Sequence, residues 1–171
     1  MWQRMYKTDQ PSEMQQARQQ FDQLKQRLSQ RENAVIAHEQ AHQQAAGSLA
    51  GAATYGRKSV SMTMPDGSEE RFEYIDEGEV PIELPGMPSE PASTPQGRQE
   101  IEQALVNYET VEQAAIAPGS LAGGLSAADQ SIAAIATSRQ ATLSQLLSQT
   151  DKILSNPLPE NTWFGGMNQT A

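Results

Sequence analysis

The sequence predicts an α+β protein: a mainly helical single domain with one small β-hairpin next to a helix that carries two histidines. Three observations carry this expectation. Long stretches repeat apolar residues at steps of three and four, the period of an amphipathic helix. One short stretch, 58–76, alternates apolar and polar residues around Pro65-Asp66-Gly67, which is the pattern of two strands and a turn. The only two histidines, His38 and His42, stand four residues apart in His38-Glu39-Gln40-Ala41-His42, a spacing that brings side chains together on a helix.

The elements follow in order. After Pro11-Ser12-Glu13, the residues Met14, Ala17, Phe21, Leu24 and Leu28 form a heptad-like stripe on a Gln-rich helix. Residues 1–30 therefore read as an N-terminal packing helix, and the same stripe also suits a seam between two copies of the chain. Val35 continues the stripe, so the helix runs on, or restarts near Arg31, through the histidines to Ala46, where Gly47 supplies a stop. The small residues of 47–56 suit a loop close to the back of that helix. Val60, Met62 and Met64 form one strand, Phe72 and Tyr74 the next, and Val80, Ile82 and Leu84 a further extended piece.

The proline-dense stretch Pro85 to Pro95 reads as a surface linker. Thr94 and Pro95 open a helix whose apolar face is Ile101, Leu105, Tyr108, Val111 and Ala115, ending at Pro118-Gly119. Ser126-Ala127-Ala128-Asp129 has the form of a capping box and opens a last helix, with Ile132, Ile135, Arg139, Leu143, Leu146 and Ile153 along one side, as far as Asn156-Pro157. Residues 31–155 thus form the main domain and 156–171 an extended C-terminal tail carrying Trp163 and Phe164.

Composition narrows the function. The chain of 171 residues has a net charge of −9 and no Lys/Arg cluster, which argues against binding a phosphate backbone. No run approaches the roughly 18 apolar residues of a membrane helix. The start, Met1 to Lys7, lacks the apolar core of a signal peptide, so the reading leans to a cytoplasmic location. Only 37% of residues are hydrophobic and 5% aromatic, which predicts a thin core.

The absence of cysteine removes thiolate zinc cages and cysteine nucleophiles. On a helix, His38 and His42 converge on one ion while Glu39 stands about 100° round, within reach of a water on that ion. A catalytic zinc site takes three protein ligands and leaves a position open. With no third histidine the third ligand must be an oxygen. The candidates are Glu73, Asp76, Glu77, Glu79 and Glu83 at the hairpin end, or Glu102, Glu109 and Glu112 on the next helix. Glu79 is preferred, because Gly78 before it permits a close backbone approach and Val80 after it provides an apolar anchor.

Several of these segments together resemble the SprA-related bacterial metalloprotease family: His38 to His42, Gly47, Gly51, Thr54-Tyr55, Pro65-Asp66-Gly67, Gly78-Glu79-Val80, Ala115 to Pro118, and Ser126-Ala127-Ala128-Asp129-Gln130. The likeness spans about 31–137. It implies a zincin-like fold, Zn2+ as cofactor and hydrolysis of a peptide or protein substrate. On that expectation His38, His42 and Glu79 hold zinc, and Glu39 is the general base that later returns the proton to the leaving amine. Tyr55 is the candidate donor to the developing oxyanion, and the strand Val60 to Met64 is a candidate edge for an extended peptide. The competing expectations are a helical interaction or scaffold protein with a structural or vestigial metal site, and a latent enzyme whose Trp163/Phe164 tail fills the cleft.

Overall fold

The structure is a computed structural model that describes residues 9–156, so the Trp163/Phe164 tail lies outside the described residues. It is mainly helical with one two-stranded antiparallel sheet, as expected. Helix α1 (Asp9–Ala46) runs without interruption for 38 residues. No glycine or proline falls between Ser12 and Ala46, and the stretch is rich in Gln, Glu, Arg and Ala, all good helix formers. There is no restart at Arg31. Gly47, with φ of 56°, ends the helix in the left-handed conformation that glycine adopts without strain.

Strands β1 (Thr54–Thr63) and β2 (Glu69–Glu79) form the hairpin. It is longer at its base than the sequence pattern indicates: Thr54, Tyr55 and Gly56 pair with Glu79, Gly78 and Glu77. A register shift between Gly56 and Arg57 breaks the alternation there while the ladder continues past it. At the tip, Gly67 has φ of 84° and its N–H donates to the Met64 carbonyl at 2.9 Å.

The hairpin lies along α1, with β2 as the strand against the helix. The Ile75 N–H donates to Glu32 Oε2 at 2.6 Å, and Arg31 Nε stands 2.6 Å from Asp76 Oδ1. Lys58 on β1 bonds the other oxygen of Asp76. Phe21 of the N-terminal stripe and Met64 at the hairpin tip are both buried within the chain.

Helix α2 (Pro95–Ile116) starts as expected, with Thr94 Oγ1 accepting from the Gly97 N–H at 3.1 Å. A 3-10 turn, Ala117–Ser120, follows. Helix α3 (Ala127–Ser155) begins in a full capping box: Ser126 Oγ accepts from the Asp129 N–H and Asp129 Oδ2 accepts from the Ser126 N–H. The contacts Arg98 to Asp151 and Glu112 to Gln140 show the two helices running antiparallel.

The core is the seam between them, built from Ile101, Ala104, Tyr108 and Val111 against Ala136, Leu143 and Leu146. The buried side of α3 is therefore turned from the expected one. Ile135 and Ile153 are exposed, while Asp129, Ala136, Leu143 and Thr150, at strict seven-residue steps, face inward. That step keeps a seam in register along a neighbouring helix, and the apolar residues alone do not mark it. Arg139 fits the inward side because its Nη1 donates to the hydroxyl of buried Tyr108, its guanidinium standing 5.2 Å from that ring's centroid. Tyr108 in turn donates to the Pro85 carbonyl and fastens the proline-rich segment to the core.

Thr150 fastens the same segment a second time. It is fully buried, and its Oγ1 accepts from the Ala92 N–H at 2.9 Å. Thr150→Val keeps the shape and strands that donor. It is expected to cost about 1–3 kcal/mol in denaturant unfolding, with Thr150→Ser recovering much of the loss.

The Lys58 and Arg31 cations hold the Asp76 carboxyl below the usual carboxylate range. A depressed carboxyl contributes stability above its unfolded pKa, and that contribution disappears as pH falls through the folded value. Urea midpoints of wild type and Asp76→Asn should therefore differ at neutral pH, with wild type the more stable. The gap should close as pH drops below about 4.

Candidate metal centre

The site forms where one face of α1 meets the first turn of α3. His38 and His42 are one helical turn apart, with ring centroids 4.8 Å apart and planes at 78°. Their Nε2 atoms are 3.1 Å apart. Asp129 completes the group: its Oδ2 lies 3.2 Å from His38 Nε2 and its Oδ1 lies 3.0 Å from His42 Nε2. One ligand atom from each of the three residues can be chosen so that all lie within 4.8 Å of one another.

The second nitrogen of His42 is held as well. Nδ1 sits 2.8 Å from the Ala114 carbonyl, which can only accept, so Nδ1 carries a hydrogen; in the neutral ring Nε2 then bears the lone pair. Metal-ligating histidines are commonly oriented by an outer contact of this kind. Ligands at zinc's usual bond lengths in a tetrahedron are roughly 3.3 Å apart, close to the separations found here. The donor set of two imidazoles and one carboxylate also matches zinc's preferences. Zinc therefore fits these residues.

Asp129 reaches the histidines because it is the first inward position of the α3 seam, one step beyond the point where α2 ends at Ile116. Its capping bond to the Ser126 N–H, at 2.9 Å, fixes the carboxylate further. The sequence reading found Ser126-Ala127-Ala128-Asp129 as a helix start and as part of the family likeness, and did not consider Asp129 as a ligand. The usable signal was an acidic residue that belongs to the seven-residue seam yet has no hydrophobic role in it.

Glu39 is buried, at 5% exposure. Burial pushes its carboxyl above the usual range; the two histidines oppose this, and Asp129 and Glu79 add to it. Gly78 is what allows β2 to pass over it. A Cβ at that position would stand 2.6 Å from Glu39 Cγ, so any larger residue would displace the carboxylate. The expectation that Gly78 marks a close backbone approach is met, and the group approached is Glu39.

The other proposed residues are placed differently. Glu79 lies on the wall of a cavity beside the histidines but is not one of the three converging ligands. Asp76 is engaged by Arg31 and Lys58, and Glu112 by Gln140. Tyr55 is on β1 opposite Gly78, 38% exposed, and lines neither cavity at the site. It is on the outer strand with β2 between it and α1, so the assignment of Tyr55 to an oxyanion is not carried forward. In the segment Val60 to Met64, residues 60–63 pair with 69–72 toward the hairpin tip, away from the Gly78 end, and the segment lines neither opening at the site.

Two openings flank the centre. One of about 290 Å³ is bounded by Arg31, Val35, Glu39, Glu77 and the Gly123-Gly124 loop, and one of about 370 Å³ by His42, Glu79, Ile82, Asp129 and Ile132. Both include His38, Glu39, Gly78 and Ser126 in their walls.

Comparison with protein-family models, with curated proteins and with solved structures finds no match to this chain. The geometry alone carries the reading.

Zinc titration followed by calorimetry tests the ligand set. Asp129→Ala should abolish stoichiometric binding. Ser126→Ala, which removes only the hydroxyl half of the cap, should leave the site intact but weaken zinc by about tenfold or more.

Proposed function

We propose that this chain is a zinc-dependent peptidase in which His38, His42 and Asp129 hold the ion and Glu39 is the general base. One observation carries the proposal: a buried carboxylate, Glu39, stands beside a converged pair of histidines and an aspartate in a cleft open on two sides. A purely structural site has no use for a base at that place. When bound, zinc supplies a Lewis acid for the scissile carbonyl and lowers the pKa of water at its open position.

The chain's own residues do the rest. Glu39 accepts the proton of the attacking water as its oxygen bonds to the carbonyl carbon. It then delivers that proton to the nitrogen as the carbon–nitrogen bond breaks, so the proton count balances. A carboxyl whose proton affinity is raised by burial suits both halves of this exchange. The Ala114 carbonyl keeps His42 in the ligating tautomer, and the cap at Ser126 keeps Asp129 aimed. Gly78 lets the strand wall pass close over Glu39. The resemblance to the SprA-related metalloprotease family, with its zincin-like fold, agrees with this reading. No helix among the described residues is long and apolar enough to cross a membrane.

The test is metal content and peptide hydrolysis of wild type and Glu39→Gln. The variant should keep one zinc per chain and lose about 10²–10⁴-fold in kcat. Zinc retained with no hydrolysis by wild type across a broad peptide pool would favour a structural site on a scaffold protein.

A further inference from the structure

The two openings beside the histidines differ in charge. In the one bounded by Arg31, two of the three acids are met, Asp76 by Arg31 and Lys58 and Glu77 by Lys58 at 3.9 Å, while Glu39 borders both openings. In the other, the charged walls are Glu39, Glu79 and Asp129, with no Lys or Arg among them. A divalent ion at the histidines offsets two of those three carboxylates. One negative charge is left.

That charge belongs to Glu79. Among the described residues no donor or cation engages its carboxylate, and it lines the same opening as Glu39 and Asp129. Beside the polar groups, Val80, Pro81, Ile82 and Ile132 give the opening one apolar side. A pocket of about 370 Å³ with an apolar side and an unmatched carboxylate suits an alkyl stem that ends in a cation.

We infer that Glu79 makes this opening a recognition pocket for a cationic group of the substrate, either the side chain of a lysine or arginine residue or the ammonium at the start of a peptide. This rests on the peptidase reading and names the substrate class that reading leaves open. Glu79 then determines specificity, and the ion is held without it. The net charge of −9 works in the same direction by drawing cationic peptides toward the surface.

The experiment measures binding, which does not depend on turnover. Full-length zinc-loaded wild-type protein is titrated with short labelled peptides of N-methylated, cleavage-resistant backbone that carry lysine or norleucine at one position, each with a free or an acetylated amino end. Peptides with a cation in the recognised place should bind about tenfold more tightly than the acetylated norleucine peptide, and the advantage should shrink with salt. Loss on acetylation assigns the preference to the amino end, and loss with norleucine assigns it to the side chain.

Introducing Glu79→Gln should erase the advantage while leaving zinc content and the affinity for the neutral peptide unchanged. The position is exposed at the end of a strand, so the substitution should leave the fold intact. The proposal is overturned if the advantage survives Glu79→Gln, if neutral peptides bind as well as cationic ones, or if zinc is lost with Glu79. Cation-selective binding through Glu79 without cleavage by wild type would sink the peptidase reading and leave the pocket standing. Cleavage indifferent to charge and to Glu79 would do the reverse.

Discussion

The convergence of the Asp129 carboxylate on the two histidine Nε2 atoms is the constraint around which the described structure is arranged. Three parts of the chain meet there: the C-terminal half of α1, the first turn of α3, and the end of α2 through the Ala114 carbonyl. None of these contacts is local in sequence. Each has to be delivered by packing, and the α2–α3 seam is what delivers Asp129. Because Asp129, Ala136, Leu143 and Thr150 share one side of α3, the packing that buries Leu143 against α2 also turns Asp129 toward α1. Core and site are therefore set by a single helix rotation.

The hairpin supplies the opposite wall by different means. It has little core of its own, and β1 is largely exposed, so its position depends on how β2 is fastened to α1. Glu32 receives the Ile75 N–H and Arg31 meets Asp76, one turn and more before His38 on the same helix. From there the strand runs on to Gly78, where the lack of a side chain lets it close over Glu39. The burial that raises the proton affinity of Glu39 thus traces back to ion pairs and a backbone bond two helical turns away.

Much of this was legible in the sequence because it rests on local rules. Continuous helix formers up to Gly47, the Pro-Asp-Gly turn, the Thr94-Pro95 start and the Ser126 cap are each decided within a few residues, and all appear in the structure. The histidine pair was legible for the same reason, since its geometry is that of one helix turn. The third ligand was not, because which carboxylate arrives depends on long-range packing, and elimination by residue type does not choose among the 21 Asp and Glu residues, of which the named candidates lay on the hairpin end and the helix after the linker. Gly78 did mark a close approach, but the pattern cannot say that the approached group is Glu39. The reading took the residue next to the marker, Glu79, as the ligand, when the packed structure puts Glu79 on the cavity wall. Similarly, Tyr55 follows the active-site helix in sequence, yet the hairpin carries it to the outer strand.

Asp129 holds two positions at once, and this bears on how the site exists before any ion arrives. As the third residue of a capping box it accepts from the Ser126 N–H, and it sits in the first turn of α3, where the helix dipole favours a negative charge. Its surroundings are nearly dry. The helix start therefore does for Asp129 what the Ala114 carbonyl does for His42: it fixes the direction of the side chain with backbone groups that must be there for the fold in any case. A ligand set held this way loses little conformational freedom when an ion enters, which favours tight binding. The irregular part of the cleft lies elsewhere, in the Gly123-Gly124 loop with φ of 94° and 60°, on the side away from Glu79. Regular elements thus carry the three candidate ligands and Glu39, and the glycine loop borders the opening on the Arg31 side.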